Sequence, residues 1–562
     1  MICFGNFEVN LEAGELLRAG ISVRLPRQPF EVLAALLARP GDVVTRKDLR
    51  QKIWPSHTFV DFERGINKAV NRLRDALDDC AEAPQYVQTI AGRGYRFIAP
   101  VERRICSIAV LPFENLCGDS AQDYWAYGIT DDLISGLARI SGLKVTSRTS
   151  VMRFKDTRVP LPEIAQQLRV DAVLEGSVKV LPQEIRVGIR LVDASIDRPV
   201  WAETYNRPLE DASAICEQIA EAIARRTQAN YTHRQHSVAL QRLSVVQEAY
   251  EAYLKGRYFW SRRTEADLNK SLRYFSEALE YEACYPAALT GLADAYILLG
   301  ILGLRSPHDV YPQARRAAEK ALQLNPALAD AHKSLAAVRN HYDWDWRAAE
   351  VEFQRAIALD PGSSVAHQWY AAALLFTGQH DEAVAEARRA RDLDPLSPSL
   401  TAFVGLIYMK LRKFNEAIEA CHAAIELDPS HPFGHWILAR SLDARGDVQQ
   451  ALNAAQIAAN VSRGDPLYTT HLGYALARAG QIEGARAFVR TLQEETQTRY
   501  VSPYDVAMIY VGLREKDMAF EWLHRALEER AVRMCELLDP AFDEIRSDPR
   551  YESLVRQIGL AT

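Results

Sequence analysis

The stretch Asp61–Leu77, DFERGINKAVNRLRDAL, decides how the first hundred residues fold. Its apolar positions Ile66, Val70, Leu73 and Leu77 recur at i, i+4, i+7 and i+11, the period of one helix face and not of a strand. On that helix Arg64, Lys68 and Asn71 point away from the apolar stripe, while Asn67, Arg72 and Arg74 flank it. From Arg64 to Arg74 there are four basic residues and no acid. The spacing predicts a helix with one face for a core and another of guanidinium, ammonium and amide groups. Such groups complement the edges of guanine and adenine and the phosphates beside them. An ordinary solvated helix face has the same composition, so the neighbours of this segment matter.

Before it, Phe4–Pro26 alternates and turns like short strands. Pro29–Trp54 reads as two helices broken at Pro40-Gly41, with Thr45 as the N-cap of the second. Trp54–Asp61 reads as a loop. After the long helix, YVQTIAGRGYRFI (Tyr86–Ile98) reads as two short strands around Gly92-Arg93-Gly94.

This order of strands, two helices, loop, long helix and hairpin resembles the OmpR/PhoB-type winged helix-turn-helix, an α+β fold. The matching residues are LPRQPFEVLAALLARPGDVVTRKDL (Leu25–Leu49), INKAVNRLRDAL (Ile66–Leu77) and GRGYRFIAPV (Gly92–Val101). The resemblance is to one-component regulators of the CadC/HilA kind, which begin directly with this domain. It implies a DNA-binding transcriptional regulator with the Glu63–Leu77 helix in the major groove and Arg93 at the minor groove. It also implies DNA-facing or wing-bracing roles for Thr89 and Tyr95. The expected DNA-binding set is thus Arg64, Asn67, Lys68, Asn71, Arg72, Arg74, Thr89, Arg93 and Tyr95. The loop holding Pro55, Ser56, His57 and Thr58 stands where family members face RNA polymerase, and tandem copies on direct repeats imply a homo-oligomer on DNA. Asn67 and Asn71 replace the polar residues common in the family, so base preference does not carry over. A preceding receiver domain with a phosphoacceptor aspartate is not expected from this resemblance, and no apolar stretch of spanning length follows the domain in this sequence.

The second half repeats. Asn325-Pro326, Asp360-Pro361, Asp394-Pro395 and Asp428-Pro429 are spaced 35, 34 and 34 residues apart. Ala314, Ala349, Ala383 and Ala417 lie twelve residues before each proline, and Ala321, Ala356, Ala390 and Ala424 lie five before. Small residues there let paired helices approach closely, and the proline stops the second helix. The pattern resembles the tetratricopeptide repeat (TPR). Weaker copies at Glu248–Tyr281 and Cys284–Pro326, and further ones through Ala526, bring the count to about eight, with a closing helix near Leu560. The resemblance implies a solenoid whose groove binds a protein, peptide or other subunit. The alternative is a TPR scaffold or adaptor whose winged helix makes protein rather than DNA contacts.

The segment between alternates strands and helices, an α/β pattern. ICSIAVLPFEN, LKVTSRTSV and DAVLEGSVKV read as strands, EIRVGIRLVDAS and RPVWAETYN as a hairpin, and GITDDLISGLARIS, EIAQQLRV and SAICEQIAEAIARR as helices. AVLPFEN and VLEGSV resemble the TolB N-terminal-like domain found between effector domains and TPR arrays, including those of some class III adenylate cyclases; no cyclase domain accompanies it. Hydroxyls and a guanidinium at Thr146–Ser150 could hold an anion, or merely end a strand.

The expected domains are therefore 1–100, 101–230 and 245–562. The net charge of −6 conceals +2 over the first hundred residues. The eight cysteines are scattered without C-x-x-C pairs, which predicts free thiols in a reducing cytoplasm and no metal site. No GxxxxGK[ST], HExxH or GxSxG occurs, so no enzyme and no cofactor are expected.

Overall fold

The computed structural model describes residues 2–11, 14–19, 21–54, 62–103, 105–138, 140, 142–155, 157–194, 197–227, 245–462 and 464–560. The chain divides into two compact units, Met1–Cys106 with Arg226–Gln228, and Ser107–Arg225 with Ala229–Thr562.

In the first unit the elements in order are β1 (Ile2–Phe4), β2 (Phe7–Asn10), β3 (Glu15–Arg18), β4 (Ile21–Val23), α1 (Arg27–Leu37), β5 (Val43–Thr45), α2 (Arg46–Ile53), α3 (Phe62–Leu77), β6 (Val87–Ile90), β7 (Gly94–Phe97) and β8 (Glu102–Arg103). One antiparallel sheet has the order β4-β3-β2-β1-β8, and a smaller one β5-β7-β6. Because β8 pairs with β1, this unit extends past residue 100. The apolar stripe of α3 is buried: Ile66, Val70, Leu73 and Leu77 are each at most 1% exposed, packed with Leu33, Leu36 and Phe97. Thr45 caps α2 as expected, its Oγ1 accepting from the Asp48 N–H at 3.2 Å while the Asp48 carboxylate accepts from the Thr45 N–H at 3.1 Å. Gly94 has to be glycine, since a Cβ there would lie 2.0 Å from the Val44 carbonyl oxygen across the β5–β7 pair.

The second unit opens with β9 (Ser107–Val110), β10 (Glu114–Asn115), α4 (Asp123–Ala138), β11 (Lys144–Val145), α5 (Arg148–Met152), α6 (Leu161–Leu168), β12 (Ala172–Val180), β13 (Glu184–Asp193), β14 (Arg198–Pro208) and α7 (Ala212–Thr227). They form a mixed sheet of order β11-β9-β12-β13-β14, with β10 beside β12. Strands β9, β11 and β12 run parallel, and β12, β13 and β14 are antiparallel. The expected strand LKVTSRTSV is only half strand. It leaves the sheet after Val145 and turns into α5, whose Ser150 hydroxyl pairs with Asp394 of the repeat array. A partner distant in sequence decides that segment, and local pattern could not reveal it.

Eight helix pairs follow among the described residues, from Gln247–Trp260 with Glu265–Tyr281 to Pro503–Gly512 with Lys516–Glu528. The eight alanines of the repeat motif are all buried, none above 1% exposed. The turn inside every pair carries one residue in the left-handed region: Arg263, Gly303, Trp344, Gly378, Arg412, Gly446, Gly480 and Arg514. The last five of these steps are each 34 residues, which is the period read from the prolines.

The α/β domain and the array are joined within this unit by specific bonds. Tyr124 donates to Glu251 at 2.7 Å, Tyr250 donates to Asp132 at 2.8 Å, and the Leu396 N–H donates to the Ser150 hydroxyl at 3.1 Å. Gly128 of α4 lies so close to the first repeat helix that a Cβ would meet Leu254 at 2.4 Å.

Beyond the eighth pair the chain turns back. The 3-10 segments Val532–Glu536 and Pro540–Ile545 lie against the first helices of repeats five to eight. Asp539 meets Lys410 at 2.9 Å and Arg440 at 2.5 Å, and Glu536 meets Arg440 at 2.6 Å. Asp543 meets Arg412 at 2.6 Å, and Glu544 meets Arg478 at 2.7 Å. The closing helix Pro549–Ile558 then reaches repeat three, where the Trp346 indole N–H donates to the Ile558 carbonyl at 3.1 Å. In this part of the array four carboxylates of the chain itself, Glu536, Asp539, Asp543 and Glu544, pair with cations of the repeats.

Candidate nucleic-acid interface

Burial sorts the nine expected residues. Arg64, Asn67, Lys68, Asn71 and Arg72 lie exposed on one face of α3, opposite the buried stripe, and Arg93 is exposed at the turn between β6 and β7. Among the described residues neither Lys68 nor Arg72 has an ion-pair partner. Cations held out on a rigid helix with no carboxylate beside them keep their charge for an external partner.

Two residues of the expected set, Arg74 and Tyr95, turn inward, Tyr95 in the wing-bracing position that the resemblance also implied. Arg74 is 6% exposed and its Nη2 donates to the Val87 carbonyl and to Thr89 Oγ1, both at 2.8 Å. It ties the end of α3 to the wing strand β6, and occupies Thr89 in doing so. Tyr95 is 3% exposed; its hydroxyl donates to Asn67 Oδ1 at 2.7 Å, and burial raises its pKa above the ordinary phenol value. Its role is to brace the wing against α3. The helical wheel placed Arg74 at the edge of the stripe, a position from which a long side chain can lie either way.

Sequence reasoning missed Arg46 at the start of α2. Its guanidinium pairs with Glu63, donates to Asn67 Oδ1 at 3.1 Å and to the Tyr95 hydroxyl at 3.2 Å, and lies over the Tyr95 ring at 5.3 Å from the centroid. One side chain thereby connects α2, α3 and β7. The capped helix start at Thr45 was the available signal, because it fixes the direction in which the next residue leaves. Asn67 presents its amide with the oxygen already engaged, so only its NH2 group faces outward chemistry. Trp54 packs edge-on against Phe62, with ring centroids 5.6 Å apart, at the entry to α3. The loop residues Pro55, Ser56, His57 and Thr58 lie outside the described residues.

Comparison with known proteins agrees with this arrangement. Residues 20–97 match the family described as "Transcriptional regulatory protein, C terminal", and residues 104–222 match "HilA/YgeH-like transcriptional regulator, second domain". Residues 345–407, 404–431 and 438–499 match tetratricopeptide repeat families. The transcriptional regulator HilA of Salmonella typhimurium is 23% identical over 406 residues, 70% of each chain. The cholera toxin transcriptional activator of Vibrio cholerae is 36% identical over 80 residues, covering 14% of this chain and 27% of that protein. A candidate adenylate cyclase 3 of Rhizobium meliloti is 30% identical over 238 residues, 41% of this chain; the chain spans only 39% of that protein's length. The middle domain, expected to be TolB-like, matches the HilA/YgeH-like second domain. No helix among the described residues is long and apolar enough to cross a membrane. The chain carries the domains of a transcriptional regulator: an OmpR/PhoB-type DNA-binding domain, a HilA/YgeH-like second domain and C-terminal tetratricopeptide repeats.

Proposed function

We propose that the chain binds promoter DNA sequence-specifically through the exposed face of α3. In this reading Arg64, Asn71 and Arg72 address base edges or flanking phosphates in the major groove, Lys68 a phosphate, and Arg93 the minor groove. The observation that carries it is the separation of the two faces of α3: the apolar stripe is wholly buried, and the opposite face is a run of exposed cations and amides. Arg46, Arg74 and Tyr95 set the angle between helix and wing, and so the register of the two contacts. RNA polymerase is a partner of the 55–61 loop in this reading, and tandem copies assemble on direct repeats in the cytoplasm. The second unit receives the regulatory input, through a protein partner on the array or a ligand.

The test is binding of the full chain to its own promoter across a salt series. The logarithm of affinity is expected to fall steeply with the logarithm of salt concentration, by about 0.9 per phosphate neutralised. Lys68→Ala should weaken binding and flatten that slope, and Arg72→Ala should weaken binding. Unchanged binding in both variants overturns the assignment of α3; salt-independent behaviour favours the scaffold reading, in which the winged helix contacts protein.

A further inference from the structure

Asn67 and Asn71 lie one turn apart on the exposed face of α3, and their amides stand in different surroundings. Among the described residues Asn71 has no partner, so its oxygen and its NH2 group are both open to an outside molecule. Asn67 is equally exposed but is held from behind. Its Oδ1 accepts from the Tyr95 hydroxyl at 2.7 Å and from Arg46 Nη2 at 3.1 Å. The same Arg46 nitrogen donates to the Tyr95 hydroxyl at 3.2 Å.

The chemistry of Arg46 fixes which end of the Asn67 amide points inward. A guanidinium carries only donors, so the amide atom it meets is the oxygen and not the nitrogen. The Tyr95 hydroxyl accepts from Arg46 and therefore turns its single proton to Asn67. An amide oxygen has two lone pairs, and both are taken. The lock is anchored in the fold. Tyr95 is 3% exposed, the Arg46 guanidinium lies over its ring, and Arg46 is paired with Glu63 as well. Turning the amide over would set its NH2 group against two donors. What remains on the outer surface is that NH2 group, which has no partner among the described residues. An asparagine in this state cannot make the two-bond contact with adenine, which needs an oxygen for the N6 amino group and an NH2 group for N7. It can only donate.

We propose that Asn67 reads one base of the bound site as a donor only, selecting a keto base, guanine through O6 or thymine through O4, over the amino bases adenine and cytosine. Arg46 and Tyr95 are positioning residues in this assignment: they touch no base and set the polarity of Asn67. The assignment rests on the reading that α3 lies in the major groove, where guanine O6 and thymine O4 are acceptors and adenine N6 and cytosine N4 are donors. Asn71 keeps both polarities, so two residues of one type, one turn apart, address different bases from the same helix.

The experiment selects binding sites from a random duplex library with the full chain, wild type and variants, and compares base frequencies position by position. In the wild type one position is expected to favour guanine or thymine over adenine and cytosine by about five- to tenfold. Asn67→Asp should invert that position alone, whatever it costs in overall affinity. An aspartate held by the same two donors keeps one oxygen outward, and that oxygen accepts from an amino base. Arg46→Met/Tyr95→Phe frees Oδ1 and should admit adenine at the same position, a change of preference that a loss of stability does not produce. Tyr95→Phe alone, which keeps the ring in the core, should move the preference part of the way. The proposal is overturned if no position answers to Asn67→Asp, if that variant weakens all sequences equally, which would place Asn67 on a phosphate, or if the wild type prefers adenine at the position that answers. A wild type that enriches no sequence overturns the major-groove reading itself, and this assignment with it.

Discussion

The face of α3 and the inner face of repeats five to eight are both rich in Lys and Arg, and they use them in opposite ways. On α3, Lys68 and Arg72 stand exposed with no carboxylate among the described residues. In the array, Lys410, Arg412, Arg440 and Arg478 are each met by a carboxylate of the returning segment, and Asp539 and Arg440 are almost fully buried. The residue types are the same; partner and burial decide whether a cation holds the protein together or is kept for something else. Neither property is visible in a window of sequence.

The comparison breaks most readily at Arg440. Arg440→Met leaves Glu536 and Asp539 buried with too little positive charge, and should destabilise the array by about 3–5 kcal/mol. The double variant Arg440→Met/Asp539→Leu should recover a large part of it. Chemical unfolding followed by hydrogen exchange at residues 532–545 checks both, and neither variant should alter the salt slope of DNA binding.

Acid offers a second test of the same face. Burial, reinforced by Arg440 and Arg533, pushes the His471 imidazole down to about 3, and burial pushes His341 down to about 4. Both are neutral in the folded array and take up a proton on unfolding once the pH is below the ordinary histidine value near 6.5. Their stabilising contribution is complete above about pH 6.5 and is lost as the pH falls toward 4. Glu536 and Asp539, held well below the usual carboxylate range by their cationic neighbours, add a further loss only below that range. The urea midpoint of the array should therefore drop between pH 7 and pH 5, and His471→Gln should flatten that drop.

In the first unit Arg74 and Arg72 form a sharper pair, two residues apart on one helix. Arg74→Met removes two hydrogen bonds, one of them buried, and leaves the Val87 carbonyl unsatisfied, an expected loss of about 1–3 kcal/mol; thermal unfolding should show it, with the salt slope kept. Arg72→Ala should leave stability within about 0.5 kcal/mol of wild type. It should also weaken DNA binding by roughly 1–3 kcal/mol if it reads a base, or reduce the salt slope by about one contact if it meets a phosphate.

How much was legible follows from the range of the interaction. The α3 stripe, the Thr45 cap, the wing glycines and the 34-residue repeat are local or periodic signals, and each element stands where its pattern placed it. The outward set on α3 was readable from the same wheel. What the sequence did not disclose depends on contacts between distant positions: Arg74 turning toward Val87, Arg46 reaching Asn67 and Tyr95, Ser150 leaving its sheet for Asp394, and the tail entering the groove. In the last case the acidic run Glu536, Asp539, Asp543 and Glu544 looks like an ordinary solvated charge pattern until the cations facing it are known.

The bond between Trp346 and the Ile558 carbonyl has a consequence for how such a protein can change over generations. An open solenoid tolerates the gain or loss of one repeat, since each repeat answers only to its neighbours. Here the closing helix is fastened to repeat three and the segment before it to repeats five through eight. Inserting or deleting 34 residues between them would displace every one of those contacts at once. In this array a change of repeat number is expected to cost far more than a substitution within one repeat.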